Sequence, residues 1–277
     1  MINFNGKIIS ESAYHAGIEN RAFKYGDAIF DTLKYDDGEI YFLEDHYFRL
    51  MSSMRMLRMN IPMALTLAYY ETEIKKTVSN NDVHKEARVR VSVSRKDGGL
   101  YTPDTNDVDF LIEVNEREAK LYDSYEIELF KDFPVYSGLL STIKTNNRMI
   151  NVLSSIFSSE NNFQNCILIN EKKNIVEANN ANIFLIKGDK VLTPALTEGC
   201  INGIVRKKII ELLADNNDFT IEESAISPFE LLKADEVFLT NSITEFQTVS
   251  KYRKKIYNTD KTNQIKQLFW ERFNKKE

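Results

Sequence analysis

Residues 87–94 read Ala-Arg-Val-Arg-Val-Ser-Val-Ser, a strict two-residue alternation that a β-strand converts into one dry and one wet face. Val89, Val91 and Val93 share one side; Arg88, Arg90, Ser92 and Ser94 share the other. Such a strand needs a sheet and an apolar layer over its valines. Upstream, the spacing of Phe48, Leu50, Met51, Met54, Leu57 and Met59 predicts a helix over 44–59. Leu65, Leu67, Tyr70, Ile74 and Val78 predict a second helix over 64–78. Asn5-Gly6 marks a hairpin within 1–10, and Asp36-Asp37-Gly38 marks another joining 28–35 to 40–42. A further strand is expected at 109–114, before a charged stretch nearly free of large apolar residues.

The second half has a different grain. Strands are expected at 125–130 and 135–144, then an amphipathic helix from 147 to about 159 built on Met149, Ile150, Val152, Leu153, Ile156 and Phe157. Strands at 166–170, 174–177 and 182–186 follow, with helices at 203–213 and 228–233, a buried strand at 236–240 and an amphipathic tail at 261–273. The expected fold class is α+β in two domains: an N-terminal α/β domain over 1–115, a linker at 116–124, and a C-terminal α+β domain over 125–277.

Composition narrows the function classes. Lys and Arg number 36 against 41 Asp and Glu, and a net charge of −5 argues against a general nucleic-acid binder, though not against a local basic pocket. Two cysteines, Cys166 and Cys200, are too few for a disulfide framework, and three scattered histidines (His15, His46, His84) argue against a zinc enzyme. No apolar run approaches the ~20 residues that span a bilayer. No apolar signal segment opens the chain either, so a soluble, cytoplasmic protein is expected.

Four places carry candidate chemistry. Lys144 follows the apolar run 139–143 and precedes a polar turn; a desolvated amine there suits imine formation, while taken alone the residue reads more readily as a lysine snorkelling to water. Gly199 and Gly203 lead into a helix whose first N–H groups suit a phosphate, without the spacing of a P-loop. Thr240-Asn241-Ser242 ends a buried strand in donors that suit the same anion, or forms only a turn. Glu177, before the Asn-rich turn into Asn182-Ile183-Phe184, suits an aromatic nitrogen or a solvated hairpin.

Together these elements match one pattern. Arg21-Ala-Phe-Lys-Tyr-Gly-Asp-Ala-Ile-Phe-Asp-Thr-Leu-Lys34 and Phe42-Leu-Glu-Asp-His-Tyr-Phe-Arg-Leu50 resemble the N-terminal signature of the class IV, pyridoxal-phosphate-dependent aminotransferases. Lys144, Glu177, the 198–204 turn and Thr240-Asn241-Ser242 follow in that family's order. The resemblance implies the D-amino-acid aminotransferase-like fold, with a pseudobarrel C-terminal half that carries the cofactor lysine. It implies pyridoxal 5'-phosphate as cofactor, held by Lys144 as an aldimine, and no metal. Glu177 pairs with the pyridinium nitrogen, and Arg49, the N–H groups of Ile204 and Val205, and Ser242 hold the phosphate. Arg90, Asn147 and Ile243 are assigned to the substrate. A homodimer acting on small-molecule amino acids and 2-oxo acids is implied as well.

Two reactions share this machinery. Transamination is the commonest activity of the class and is the first expectation. The alternative is 4-amino-4-deoxychorismate lyase, which forms p-aminobenzoate and pyruvate for folate synthesis. Met149 stands where branched-chain enzymes carry tyrosine, and Val205 where both transaminase branches carry threonine. Lys144-Thr-Asn-Asn-Arg148 resembles the lyase's Lys-x-x-Asn-Arg, and Arg95-Lys-Asp-Gly-Gly-Leu-Tyr101 its Gly-Gly loop with one residue fewer. A cofactor-free scaffold is the remote third reading, disfavoured by the joint presence of Lys144, Glu177 and Arg49.

Overall fold

A computed structural model describes residues 1–83, 85–117, 122 and 124–273. His84, and 118–121 and 123 of the expected linker, lie outside the described residues. The chain divides into two compact units: Met1–Ala119 with Ile143–Asn147, and Lys120–Thr142 with Arg148–Glu277.

The first unit contains β1 (Ile2–Phe4), β2 (Lys7–Ile9), α1 (Arg21–Tyr25), β3 (Ala28–Asp36), β4 (Glu39–Ile40), α2 (Leu43–Met56), α3 (Leu67–Ser79), β5 (Glu86–Arg95) and β6 (Val108–Glu116). Its strands form one antiparallel sheet in the order β2-β1-β6-β5-β3-β4. Both expected hairpins form, and their turns place Asn5, Gly6, Asp37 and Gly38 at positive φ, the geometry that selected those residues. Val89, Val91 and Val93 are buried beneath Leu50, Met51 and Met54 of α2 and Tyr70, Ile74 and Val78 of α3. One ladder thus explains the alternation: valines under helices, arginines and serines on the opposite face. Buried Asn3 fastens β1 to α3 by donating to the Glu73 carboxylate at 2.6 Å.

The second unit contains β7 (Glu126–Val135), α4 (Met149–Glu160), β8 (Asn165–Asn170), β9 (Ile175–Ala178), β10 (Asn182–Lys187), β11 (Lys190–Pro194), α5 (Ile204–Ala214), β12 (Thr220–Ser224), α6 (Glu230–Lys233), β13 (Glu236–Asn241), β14 (Glu245–Thr248), β15 (Lys251–Tyr252), β16 (Lys255–Ile256) and α7 (Asp260–Phe273). Two five-stranded sheets form, β12-β11-β10-β13-β14 and β16-β15-β7-β8-β9. They share a core in which Ile183, Leu185, Val237 and Leu239 meet Ile127, Ile167 and Ile175. On the other side of the first sheet, Phe184 and Phe238 stack at 4.9 Å, and Phe246 packs against Phe269 of α7. Covering both faces explains why β10 and β13 are continuous apolar runs rather than alternating ones.

Three expectations are corrected. The strand expected at 135–144 is absent: β7 runs on to Val135, and Leu139–Thr142 is a 3-10 turn. Leu139 and Leu140 are solvent-exposed, and the hydroxyls of Ser141 and Thr142 bond back to the carbonyls of Gly138 and Leu139, closing the turn locally. Lys144 was assigned to the C-terminal domain, but Ile143–Asn147 clusters with the first unit because it pairs with β3. On α4 the buried side chains are Ser154 and Ser158, flanked by Ile150, Leu153 and Phe157 against Phe130 and Leu168; Met149, Val152 and Ile156 are exposed. Half of the apolar stripe of α4 thus packs on the sheet and half is left exposed. No helix among the described residues is long and apolar enough to cross a membrane.

The buried carboxylate of Glu236 caps α7, accepting from the backbone N–H of Lys261 and Thr262 and from the Thr262 hydroxyl. Glu236→Ala strands these donors and should lower the unfolding free energy by about 1–3 kcal/mol, with Glu236→Gln costing less because its amide oxygen still accepts. Urea unfolding midpoints of the three proteins check this.

Candidate active site

In the first unit, Lys144 owes its place to backbone pairing. The Phe30 N–H donates to the Lys144 carbonyl at 2.9 Å, and the Asn146 N–H donates to the Ala28 carbonyl at 2.9 Å. Ile143 anchors the segment in the core beneath. The half-buried Lys144 ammonium then lies 4.6 Å from the Phe30 ring centre, and the Arg90 guanidinium lies 3.9 Å from the same centre. A cation over an aromatic face is held with some of its water stripped away.

Arg90 also donates to the Ser92 hydroxyl at 3.2 Å and the Asn146 side-chain oxygen at 3.4 Å, with the Glu113 carboxylate at 3.8 Å. Burial pulls its guanidinium below the usual arginine value; Glu113 opposes this and the charge of Arg88 adds to it. Here the polar face of β5 opens a cavity of about 490 Å³ lined by Tyr14, Arg88, Arg90, Ser92, Glu113 and Asn146, among others. Asn147, assigned to the substrate from the sequence, donates to the Gly26 carbonyl at 3.3 Å, and its neighbour Asn146 lines the cavity. Gly26 is required there: at φ 62° it caps α1, and a Cβ would stand 2.3 Å from the Asn147 side-chain oxygen.

Arg49, on α2, grips a buried carboxylate. Its Nε donates to Asp31 Oδ2 at 3.2 Å, its Nη2 donates to Oδ1, and His46 Nδ1 lies 3.0 Å from Oδ1. Burial alone would raise the Asp31 carboxyl, but the charges and hydrogen bonds of Arg49 and His46 outweigh it and hold the group well below the usual carboxylate range. His46 Nε2 and the Tyr70 hydroxyl are buried with no hydrogen-bond partner among the described residues. Sequence reasoning named Arg49 but missed Asp31 and His46.

In the second unit, Glu177 on β9 is buried, and its Oε2 accepts from the Ile201 N–H at 2.9 Å. The Ile201 carbonyl in turn accepts from the Asn182 side chain at 2.9 Å and from the Gly203 N–H at 2.8 Å. These bonds draw the 199–203 turn against β9 and β10. A Cβ on Gly203 would lie 2.0 Å from the Asn182 side-chain oxygen, so close approach dictates this glycine. Gly203 is the N-cap of α5 and supplies no capping side chain, which leaves the N–H groups of Ile204 and Val205 without hydrogen bonds among the described residues.

Asn182 also pairs across the sheet with Thr240, whose buried Oγ1 has no hydrogen-bond partner among the described residues. Beyond Thr240, the Asn241 side-chain oxygen accepts from the N–H of Ile243 and Thr244 and from the Thr244 hydroxyl, shaping the turn that carries Ser242. Ile243, assigned to the substrate from the sequence, contributes its N–H to this turn. Uncapped N–H groups, an orphan hydroxyl and a glycine-only approach fit a phosphate. Beside Glu177, burial pulls Arg148 below the usual arginine value while the Glu177 charge opposes the shift. The sequence held Arg148 only as part of a motif. Burial pushes the Cys200 thiol up to about 12, so it is an inert packing group.

The amino-transferase class IV family model matches residues 28–252. A D-alanine aminotransferase of Bacillus licheniformis is 26% identical over 260 residues, covering 87% of this chain and 84% of its own. An aminodeoxychorismate lyase of Vibrio harveyi is 25% identical over 242 residues, covering 85% of this chain and 87% of its own. Among solved structures, a branched-chain aminotransferase of Thermoproteus uzoniensis with norvaline superposes with a TM-score of 0.89 at 19% identity, covering 100% of this chain and 95% of that one. With the family match running from β3 to β15, the chain belongs to the class IV aminotransferases, a family of pyridoxal-phosphate-dependent enzymes.

Proposed function

We propose that the chain binds pyridoxal 5'-phosphate and moves an amino group between an amino acid and a 2-oxo acid. The observation that carries this reading is the Phe30 cluster, in which Lys144 and Arg90 share one ring beside a polar cavity. Bound cofactor supplies an electron sink for the charge left when a substrate Cα loses its proton. Lys144 Nζ would hold the cofactor and would move the substrate Cα proton. Arg90 holds a substrate carboxylate, charge against charge in a partly dried site. Glu177, fixed by the Ile201 N–H, keeps a proton on the ring nitrogen. Ile204 and Val205 offer N–H groups to the phosphate and Ser242 its hydroxyl, while Asp31 and His46 hold the Arg49 fork in one orientation for the same anion. A homodimer is part of this proposal.

Lyase chemistry is the second reading, favoured by Arg148 beside Glu177. Aminobenzoate released from aminodeoxychorismate, without amino-group transfer to a 2-oxo acid, would select the lyase.

Lys144→Ala should lose both the visible absorbance band of the tethered cofactor and turnover; a variant keeping both would overturn the assignment. Glu177→Gln should retain cofactor through dialysis but turn over about 10²–10³-fold more slowly. Arg49→Ala should instead weaken cofactor binding about 10- to 100-fold, read by fluorescence titration of the apoprotein.

A further inference from the structure

Glu198 opens the 198–204 turn but has no part in the proposed chemistry. It ends the 3-10 turn Leu196–Glu198, and its side chain is buried. Its Oε2 accepts from the side-chain amides of Asn170 at 2.7 Å and Asn174 at 2.9 Å, and its carbonyl accepts from Asn170 at 3.2 Å. Asn170 ends β8, and its side-chain oxygen accepts from the N–H groups of Lys172 and Asn174, so the β8–β9 hairpin that receives Glu198 is itself locked. Three residues beyond Asn174 the same hairpin carries Glu177, and three residues beyond Glu198 comes Ile201, whose N–H donates to Glu177. Two anchors of equal spacing, 174 to 198 and 177 to 201, therefore fix the turn in direction as well as position. Gly199, at φ 99°, packs on the 137–141 segment, where a Cβ would lie 3.1 Å from Ser137 Cα. Among the described residues the Glu198 carboxylate makes no ion pair. A buried carboxylate held only by neutral amides adds less stability than an apolar side chain of its size, while it sets geometry.

We infer that Glu198 is a positioning residue for the cofactor site: its hold on Asn170 and Asn174 sets the turn so that the Ile201 N–H meets Glu177 and the Ile204 and Val205 N–H groups meet the phosphate. The inference rests on the proposed cofactor role of that turn. Glu198 touches no reacting atom and acts through the backbone that follows it. Hydrogen bonds weaken steeply with misalignment, so a turn released at Glu198 loses its grip on an anion before the surrounding sheets come apart.

The test is fluorescence titration of the apoprotein with pyridoxal 5'-phosphate and with pyridoxal, which has the same ring and no phosphate. Wild type should bind the phosphate ester more tightly. Glu198→Ala should weaken binding of the phosphate ester about 10- to 100-fold and leave pyridoxal within about 3-fold of wild type. Glu198→Gln, whose amide oxygen still accepts from both asparagines, should recover most of the loss. A general loosening of the fold weakens both ligands alike. An equal fall for the two, no fall for the phosphate ester, or a loss that Glu198→Gln does not recover would therefore overturn the inference. If Glu198→Ala does not fold, Asn174→Ala removes one donor at a partly buried position and should cost the phosphate ester alone about 3- to 10-fold, judged by the same criteria. Wild type also keeps the two readings apart. A protein that binds neither ligand sinks the proposed function, and one that binds both equally sinks the Glu198 role while leaving the Lys144 assignment in place.

Discussion

Everything in the first unit that concerns chemistry depends on one short backbone alignment, residues 143–147 against the start of β3. Two hydrogen bonds, Phe30 N–H to Lys144 and Asn146 N–H to Ala28, fix the segment's register. Side chains alternate along extended backbone, so fixing Thr145 opposite Ile29 fixes which way Lys144 and Asn146 project. A slip of one residue would exchange Lys144 for Thr145 at the Phe30 ring and remove the Asn146 side chain from Arg90. Ile143, buried in the core, makes that slip costly. The lysine is thus placed by the core of the unit that holds the cavity, though nearly all of the chain after it belongs to the other unit.

Sequence pattern and structure agree where one face is dry and the other wet. The alternation of β5, the helical spacing of α2 and α3 and the Asn-Gly and Asp-Gly turns each have a single low-energy reading. Agreement fails where apolar residues serve neither face. Leu139 and Leu140 look like strand core, yet they are exposed on a 3-10 turn that two hydroxyls close. The strands β11, β12 and β14 were not anticipated, and β12 shows why: its side chains are mostly exposed at a sheet edge, so its residues carry no burial signal.

The site divides along the same line. Lys144, Glu177 and the Gly203 turn were legible because motif order links them, and Gly203 has a steric reason visible only in three dimensions. Asp31 and His46 were not legible as partners of Arg49. They come from β3 and α2, and only the packing of that helix on that strand brings the carboxylate to the guanidinium. Asn146 and Asn147 show the limit of motif reasoning in the other direction. Adjacent asparagines of identical chemistry do different work, one at Arg90 and one holding the cap of α1, because extended backbone sends them opposite ways.

Sorting the guanidiniums by partner gives the chemistry of the first unit a physical criterion. Arg21 and Arg95 both bind the Asp27 carboxylate; Arg21 also donates to the carbonyls of Gly98 and Leu100, and Arg95 donates to Asn106 and the Leu57 carbonyl. Arg21 anchors the Gly98-Gly99 loop. Gly99, whose Cβ would meet the Thr102 carbonyl at 2.3 Å, completes a fixed turn rather than a loose lid. Arg49 is matched by Asp31 in the same way. Desolvating a guanidinium without an acid or carbonyl costs several times what a surface ion pair returns, so folding pressure alone matches each buried arginine to a partner. Arg90 is matched only loosely, at 3.8 Å from Glu113, and Arg88 has no partner among the described residues. The departure from matching falls at the cavity and nowhere else along β5, which is where a carboxylate substrate would complete the pairing that the fold leaves open.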